Sequence, residues 1–558
     1  MVKMCARNEQ LKKTLGAMAP KERIVETNNI PQEDTVNRQG YKAYSLSDEI
    51  RLVAMLNTCK LESQYYRSEN ETLCELRDLI EKLCVNGDAY FVCQAIVWSR
   101  CLGEGMRDVN NIAAALVAPF ISGMDYAKRF YAAFDKKKKQ GGCIYRLDDM
   151  VAIKDVYNAL NDGVVTNAMK KGFAKVLENA DTYTLAKYRK VTIDMSNLVR
   201  PNPKNSQALV KVSIEGEEKE MKTLDAIMQG IVVSADTWEV ANTEAGQEVA
   251  KAVREGKLNK DEAEKVLTEA KNENWKELLT EGRLGILAAL RNIRNILKGG
   301  DDEVIELLCN LVSNGEKIVA GKIMPYQIDT AYEILNSEFG YHKSFHKISQ
   351  ALIDGYNKSV PNLKAALPGV TCVALDCSGS MTSPCIMAGS NGQKRISSSA
   401  LDKAALIAAT IALATGADII RFGRDAHYYK YNKNTNPFAL AKELKCDMGG
   451  TCIGSVFELM REQKRKYDRV VLLSDNECNR STDWYGRNWV KDDYKKYVHD
   501  VTSPYVYCID FCAYGTIPLK NDGKVNYYFG YGYAMFNDIA TREFNPEAVM
   551  DKIRAVVI

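Results

Sequence analysis

Five oxygen-bearing side chains in the C-terminal third of the chain have the types and spacing of metal ligands. They are Asp376, Ser378, Ser380, Thr451 and Asp475. The first three form a D-x-S-x-S segment directly after an apolar run at 370–375, and the last follows an apolar run at 469–473. Two carboxylates and three hydroxyls are hard-oxygen ligands, which suit an octahedral Mg²⁺ that keeps some of its waters. A lone D-x-S-x-S is usually only a turn, but three pieces in this order predict a divalent metal site, with Mg²⁺ as the expected ion.

A second group of residues suits contact with a nucleic acid. Between residues 160 and 211 the chain has nine basic and four acidic residues, a local net charge of +5, whereas the whole chain carries only +3. Basic residues interspersed with tyrosines can bind phosphates and stack on bases. The alternative is an ordinary solvated helix face. The residues predicted to bind RNA are Lys170, Lys171, Lys175, Lys187, Tyr188, Arg189, Lys190, Arg200 and Lys204.

Other chemistries have weaker support in the sequence. His342 and His346 are spaced to share a helical face, but no glutamate follows in an H-E-x-x-H order, so we expect surface histidines. The segment at 315–323 resembles a phosphate loop but has Ile323 where Ser or Thr must hold Mg²⁺. No G-x-S-x-G elbow occurs, and Asp376 and Asp475 are better explained as metal ligands than as a general acid and base. Nothing requires an enzyme.

Composition limits the class of protein and its compartment. The sixteen cysteines never form a C-x-x-C pair, and most lie in apolar runs, so we expect buried reduced thiols rather than a disulfide framework. No apolar stretch approaches the roughly 18 residues of a membrane helix, and the N-terminus lacks a signal-peptide core. These features predict a cytoplasmic protein without a membrane partner.

The elements that must position these residues differ between two parts of the chain. A length of 558 residues predicts two or more domains. Residues 46–360 show repeated helical patterns with short connections, which are typical of an α-solenoid with HEAT-like helix pairs. After residue 363, apolar runs alternate with helical segments, which predicts a doubly wound parallel sheet. Such a sheet would bring the predicted metal ligands together at the carboxyl ends of its strands.

The metal pattern and its sheet closely resemble a von Willebrand factor A domain with a complete metal-ion-dependent adhesion site. The resemblance implies that the site is a binding device, in which one coordination position is left for an acidic oxygen of a partner. It does not imply an enzymatic activity.

Several pieces of the helical part resemble the TROVE module of the Ro ribonucleoprotein autoantigen and its bacterial relatives. The pieces are the N-A-M-K-K-G segment at 167–172, the L-A-K-Y-R-K segment at 185–190, N-L-V-R-P at 197–201, W-K-E-L-L at 275–279 and I-M-P-Y at 323–326. The resemblance covers roughly residues 36–540, and the family also places an A domain after its helical module. It predicts an N-terminal tail at 1–35, the TROVE module at 36–362 and the A domain at 363–558.

The Ro resemblance also implies a function. The helices would form a ring whose central hole takes single-stranded 3′ ends of misfolded or damaged noncoding RNA, while Y-like RNAs bind a basic outer surface. Bacterial relatives join exoribonucleases, which suggests such a partner for the A domain, and a monomer is expected. The sequence departs from the family at Met195 and Pro203, where histidines are common. The alternative function is a metal-dependent protein–protein adaptor, whose A domain binds an ATPase or a nuclease and which does not bind RNA specifically.

Overall fold

A computed structural model describes residues 35–231, 259–359, 367–529 and 548–558. Single residues at 249, 252 and 255 are also described. Short gaps fall at 60, 62, 103–104, 136, 162–164, 215–216, 283, 300, 322, 324, 368, 384, 389–393, 398, 480–489 and 521–523. The predicted N-terminal tail lies outside these ranges except for its last residue.

The chain forms two compact units. The first comprises Met1–Ala180, Lys190–Ala208 and Ala366–Ile558, and the second comprises Asp181–Arg189 and Leu209–Ala365. The first unit therefore contains both the N-terminal helices and the residues of the predicted A domain. The domain boundaries at 35/36 and 362/363 were drawn from the sequence pattern and stay a prediction.

The N-terminal part of the first unit is built mainly from helices. They are α1 (Asp48–Thr58), α2 (Glu69–Val85), α3 (Ala89–Val97), α4 (Arg107–Leu116), α5 (Ala127–Phe130), α6 (Leu147–Asn161) and α7 (Asn167–Asn179). The sequence specifies several of their starts, as at α2, where Ser68 and Glu71 form a reciprocal capping box. Helix α3 continues into a π-helical turn at Trp98–Leu102. Two short strands, β3 (Phe134–Asp135) and β4 (Gln140–Gly141), pair antiparallel.

A buried carboxylate ties three of these helices together. Asp149 at the start of α6 is fully buried and accepts hydrogen bonds from Arg100 at 2.9 Å and from Arg107 at 2.7 Å. Asn111 of α4 also donates to it, at 3.2 Å. Burial alone would raise the pKa of Asp149, but the two guanidinium groups outweigh it and hold this pKa below its usual range. The network fixes the packing of the N-terminal helices. It also engages the guanidinium group of Arg100 in an internal ion pair.

We expect Asp149→Asn to lower the free energy of unfolding by about 2 kcal/mol at pH 7, because it leaves two arginines without their buried counter-charge. Since the folded-state pKa is depressed, the ionised carboxylate stabilises the protein above about pH 4, and this contribution is lost as the pH falls through the folded-state value. Urea unfolding at pH 7 and pH 3.5 measures both effects. Asp125→Asn, at a side chain that is 85% exposed, is the control. An Asp149→Asn deficit that did not shrink at pH 3.5 would contradict the electrostatic explanation.

The second unit is also mainly helical. Its helices are α8 (Thr182–Lys187), α10 (Thr223–Met228), α11 (Lys260–Thr280), α12 (Ile286–Gly299), α13 (Asp302–Val312), α14 (Gly315–Ala320), α15 (Pro325–Glu338) and α16 (Phe345–Ser359). Helix α9 (Arg189–Val199) begins at the last residue of one segment of this unit and continues into the first unit. Strands β5 (Leu209–Ile214) and β6 (Glu217–Lys222) pair antiparallel. Predicted helical repeats are thus confirmed.

The described residues from 367 onward form a sheet that confirms the predicted A-domain architecture. Its strand order is β11-β10-β7-β12-β13-β15. The strands are β7 (Thr371–Asp376), β10 (Asp418–Phe422), β11 (Ala426–Tyr429), β12 (Arg469–Ser474), β13 (Tyr505–Asp510) and β15 (Val525–Phe529). The pairs from β10 to β15 are parallel, whereas β11 returns antiparallel to β10 at one edge. This antiparallel edge strand was not predicted, because its four residues follow β10 after a short turn and show no apolar run.

Helices accompany this sheet, as a doubly wound fold requires. They are α17 (Gly379–Thr382), α18 (Ala400–Thr415), α19 (Pro437–Leu444), α20 (Gly454–Glu462), α21 (Val490–Asp500) and α22 (Ala548–Arg554). A small hairpin of β8 (Cys385–Ala388) and β9 (Lys394–Ser397) lies between α17 and α18. Helix α18 starts with a capping box at Ser399 and Asp402 and ends at Gly416, whose positive φ of 75° closes the helix.

The N-terminal segment adds strands to the A domain. Strand β2 (Lys42–Ser45) pairs antiparallel with β1 (Thr35–Val36) on one side and with β14 (Thr516–Ile517) on the other. All three belong to the first unit. Strands of two to four residues carry too little periodicity to be read from sequence, which explains why this small sheet was not foreseen.

Three minor expectations can be compared with the structure. The predicted shared helical face of His342 and His346 is wrong, because α16 begins at Phe345 and His342 precedes it. The cysteines whose side chains are described are free thiols, many of them buried, as expected. Of the helices in the described ranges, none has the length and apolar character needed to cross a membrane.

Candidate metal centre and basic clusters

The sheet brings two predicted metal-binding segments to one edge. Strand β7 is buried along its whole length because it lies between β10 and β12. Its pairing with β12 is parallel and aligns Leu375 with Leu473, so the two strands end side by side. Asp376, the last residue of β7, and Asp475, the residue after β12, therefore lie on neighbouring loops.

Hydrogen bonds join three of the five predicted ligands. One carboxylate oxygen of Asp376 accepts from the backbone N–H of Ser378 at 2.9 Å. The hydroxyls of Ser378 and Ser380 are 3.3 Å apart. The other oxygen of Asp376 accepts from the hydroxyl of Ser474, the residue before Asp475, so the two strand ends are joined directly.

The loop that carries Thr451 is hydrogen-bonded both to the D-x-S-x-S segment and to the segment that follows Asp475. The N–H of Gly379 donates to the carbonyl of Gly449 at 2.9 Å, which connects this loop to the D-x-S-x-S segment. On the other side, the N–H of Thr451 donates to the side chain of Asn479 at 2.8 Å. Thr451 itself is 1% exposed. The fold therefore places the third segment against the other two, as a three-piece metal site requires.

The electrostatics of the cluster favour a bound cation. Burial, followed by the charge of Asp475, raises the pKa of Asp376 to about 7, and burial raises the pKa of Asp475 as well. One oxygen of Asp475, Oδ2, is buried and has no hydrogen-bond partner. A buried carboxylate oxygen without a partner is costly, and a divalent cation would both satisfy it and reduce the repulsion between the two acids. The residues present therefore fit a metal ion.

The chemistry of the donors narrows the type of ion. Throughout the described ranges, no three His, Cys, Asp or Glu side chains are grouped so that they could hold a metal ion between them. The cluster instead combines two carboxylates with hydroxyl groups. Such a shell suits a hard cation that retains waters, as Mg²⁺ does, better than a zinc-type site with nitrogen or sulfur ligands.

Two further buried acids at this edge were missed in the sequence. Burial and the charge of Asp475 raise the pKa of Glu477 to about 7, and burial raises that of Asp510 to about 6. Asp510 is the last residue of β13, which is the strand next to β12. Its position at the carboxyl end of a strand, like that of Asp376, was the signal that could have identified it. Each carboxylate also has a structural partner. Glu477 accepts from the N–H of Arg38 at 2.9 Å, and Asp510 accepts from the N–H groups of Cys512 and Ala513 at 2.8 Å.

Six of the predicted RNA-binding residues form a first basic cluster in the first unit, on α7, on α9 and in the turn that follows α9. They are Lys170, Lys171, Lys175, Lys190, Arg200 and Lys204. Lys171 and Lys175 are exposed and Lys170 is half-buried. Helix α7 is held close to α5 at Gly172, where an added Cβ would lie 2.7 Å from the backbone of Tyr131. This close packing fixes which face of α7 points outward.

A buried glutamate connects α7 to the second part of this cluster. Glu178 accepts from the N–H of Asn202 at 2.9 Å and from the side chain of Asn205 at 3.1 Å, and Lys175 lies 3.7 Å from it. Lys204, which is exposed, is therefore held near the C-terminal end of α7. Lys190 and Arg200 are also exposed and belong to the same unit.

The remaining predicted RNA-binding residues belong to the second unit, at the end of α8. Lys187 is exposed, and its Nζ lies 5.6 Å from the ring centre of Tyr183. Tyr188 is half-buried. Arg189 donates to the carbonyl of Gly230 at 3.0 Å, so part of its guanidinium group serves the local fold.

The two departures from the family pattern have different structural settings. Met195 is 1% exposed on α9, so this side chain belongs to the interior. Pro203 is half-buried at the first position of a 3₁₀ turn at Pro203–Asn205, where a fixed φ suits the start of the turn. The substitution at Met195 therefore does not change the exposed surface.

Helical repeats combined with a Rossmann-like sheet of the von Willebrand factor A type, which has the predicted metal-binding segments at one edge, define the architectural class of this chain. The solved structures include a match of that class, the crystal structure of the Deinococcus radiodurans Ro (RSR) protein. The match has a TM-score of 0.56 and 16% sequence identity, and it covers 89% of this chain and 99% of that one. No family model matches the sequence, and no curated protein matches it significantly. The predicted Ro resemblance is thus confirmed at the level of the fold.

Proposed function

We propose that this protein is a Ro-type RNA-binding protein that acts by binding rather than by catalysis. The observation that carries the proposal is the coincidence of a Ro fold with exposed lysines on the segments that resemble the RNA-binding part of the TROVE module. Phosphate contacts by lysine carry little sequence information, so the protein would select RNA by its shape and by accessible ends. The expected ligands are Y-like noncoding RNA and misfolded RNA with a single-stranded 3′ end.

A gel-shift titration of one RNA hairpin with and without a single-stranded 3′ tail tests this proposal. We expect tighter binding to the tailed hairpin, with an affinity that falls with salt by about 0.7 log units per phosphate contact for each log unit of salt. The control for the added phosphates is a hairpin with as many phosphates as the tailed RNA, in which the added nucleotides are base-paired. Equal and weak binding to all three RNAs would contradict the proposal and leave a nonspecific basic surface.

The candidate metal centre supports a second role within the same protein. A Mg²⁺ ion would be held there by Asp376, Ser378, Ser380, Thr451 and Asp475. The bound ion would supply a Lewis-acidic position for an acidic oxygen of a partner, which could belong to an exoribonuclease. If RNA binding fails its test, this adaptor role becomes the main function, because it depends on the A domain alone.

A further inference from the structure

Tyr183 is an exposed aromatic residue next to the predicted RNA-binding residues of the second unit. It is 50% exposed, whereas Tyr188, the aromatic residue of the predicted set, is half-buried. Tyr183 and Lys187 are four residues apart on α8, so they share one face of the helix. The Nζ of Lys187 lies 5.6 Å from the centre of the Tyr183 ring. This unit therefore presents an aromatic ring and a cation together at its surface.

The backbone that carries the Tyr183 ring is fixed by hydrogen bonds on both sides of it. The carboxylate of Asp181 caps the helix by accepting from the N–H of Thr184 at 2.7 Å. The hydroxyl of Thr182 lies 2.9 Å from that of Thr223, which is fully buried at the start of α10. Because these residues flank Tyr183 in the sequence, the start of α8 is held in one position and the ring is held with it.

The surroundings of the ring combine apolar and basic groups. Leu185 and Ala186 are buried, so Tyr183 and Lys187 belong to the solvent-exposed side of α8. The hydroxyl of Thr182 also donates to the carbonyl of Leu209 at 3.1 Å, and Leu209 is 46% exposed. A single exposed apolar side chain needs no explanation. An aromatic ring with a leucine and a lysine nearby, however, is a surface that suits the face of a base and the phosphate next to it.

We propose that Tyr183 stacks on an unpaired base of the bound RNA while Lys187 contacts the adjacent phosphate. Stacking on a side chain needs the free face of a base, which a base-paired helix hides inside its own stack. Phosphates are available on paired and unpaired RNA alike, so lysines alone do not select a single strand. Tyr183 thus supplies the preference for an unpaired 3′ end. The inference rests on the proposed RNA binding and is independent of the metal centre.

A thermodynamic cycle between the Tyr183 ring and the bases of the RNA tail tests this inference. The full-length protein and its Tyr183→Ala variant are each titrated with the tailed hairpin and with the same hairpin whose tail nucleotides are abasic. We expect Tyr183→Ala to weaken binding of the intact tail by at least about fivefold, the lower limit for stacking of one base on an aromatic ring. Its binding of the abasic tail should change by less than about twofold, because no base is left to stack. The salt dependence should stay the same, since no phosphate contact is removed.

Two further variants complete the experiment. Tyr183→Phe keeps the ring and should bind the intact tail within about twofold of the wild type. Tyr341→Ala is the matched control, because Tyr341 is a fully exposed tyrosine of the same unit, and it should bind both tails as the wild type does.

The outcomes separate this inference from the proposed function. If the wild type prefers the tailed hairpin but Tyr183→Ala loses no affinity, or loses the same affinity for intact and abasic tails, the inference alone is overturned. If the wild type binds the tailed and untailed hairpins equally, the proposed function and the inference are both overturned.

Discussion

Reversing the charge of Lys170, Lys171 and Lys204 together should weaken RNA binding by about 100-fold at physiological salt. These lysines belong to the same unit, and each is at least partly exposed. Replacing each by Glu removes a phosphate contact and adds repulsion, at a cost of roughly 1 kcal/mol per position. The dependence of log Kd on log salt should also flatten, by about 2 for three lost contacts to single-stranded RNA. Gel shifts with the tailed hairpin at several salt concentrations measure both quantities.

The matched control reverses three lysines of the A domain, Lys433, Lys464 and Lys466, which are likewise exposed. This control changes the total charge equally, so it should reproduce only the general electrostatic loss. Arg189 is left unchanged because it donates to the carbonyl of Gly230 and its replacement could disturb the second unit. If both triple variants lost the same affinity, the assignment of the RNA-binding surface would be wrong even though the protein bound RNA.

Asp376→Ala should reduce Mg²⁺ affinity by more than about 100-fold while leaving RNA affinity within about twofold. Substitutions of residues that merely support metal ligands cost about 10- to 100-fold, and Asp376 is one of only two carboxylates in the predicted shell. Isothermal titration with Mg²⁺ and the gel shift of the tailed hairpin give the two values. RNA affinity should persist because none of the predicted RNA-binding residues belongs to the metal cluster.

Asp425→Ala serves as the control for Asp376→Ala, since Asp425 is an exposed carboxylate of the A domain in the turn between β10 and β11. It should retain wild-type affinity for Mg²⁺. Undiminished Mg²⁺ binding by Asp376→Ala would refute the assignment of the metal centre. A parallel loss of Mg²⁺ and RNA binding would instead mean that the ion supports the structure of the RNA-binding part.

The grouping of Asp376 and Asp475 at one sheet edge could be predicted from sequence because both residues come at the ends of buried strands. Asp376 comes at the end of an apolar run, and parallel strands end at one edge, so a one-dimensional pattern determined a three-dimensional cluster. The docking of the N-terminal segment on the A domain could not be predicted in this way. It depends on contacts between segments more than 400 residues apart, such as that between Arg67 and Cys512, and no local pattern encodes them.

The helical part shows the same distinction. Helix α2 was evident from its apolar spacing and its Ser68 cap, because both signals are local. The local excess of basic residues between 160 and 211 could be seen in the composition. The division of these residues between the two units could not. The fate of individual side chains was also hidden, since the sequence does not reveal that Glu178 organises the turn before Lys204 or that Arg189 is bonded to Gly230.

The pairing of β2 with β14 has a consequence for the synthesis of the chain. Ser45 is opposite Thr516, so about 470 residues separate the two partners. At a translation rate of about 5 to 20 residues per second, roughly 25 to 95 s pass between the synthesis of β2 and that of β14. The edge of β2 that pairs with β14 stays unpaired during this time. An unpaired strand edge can bind other chains during that time. We therefore expect the nascent protein to depend on chaperones, and to gain its protease resistance in the N-terminal segment only after the last part of the A domain has emerged.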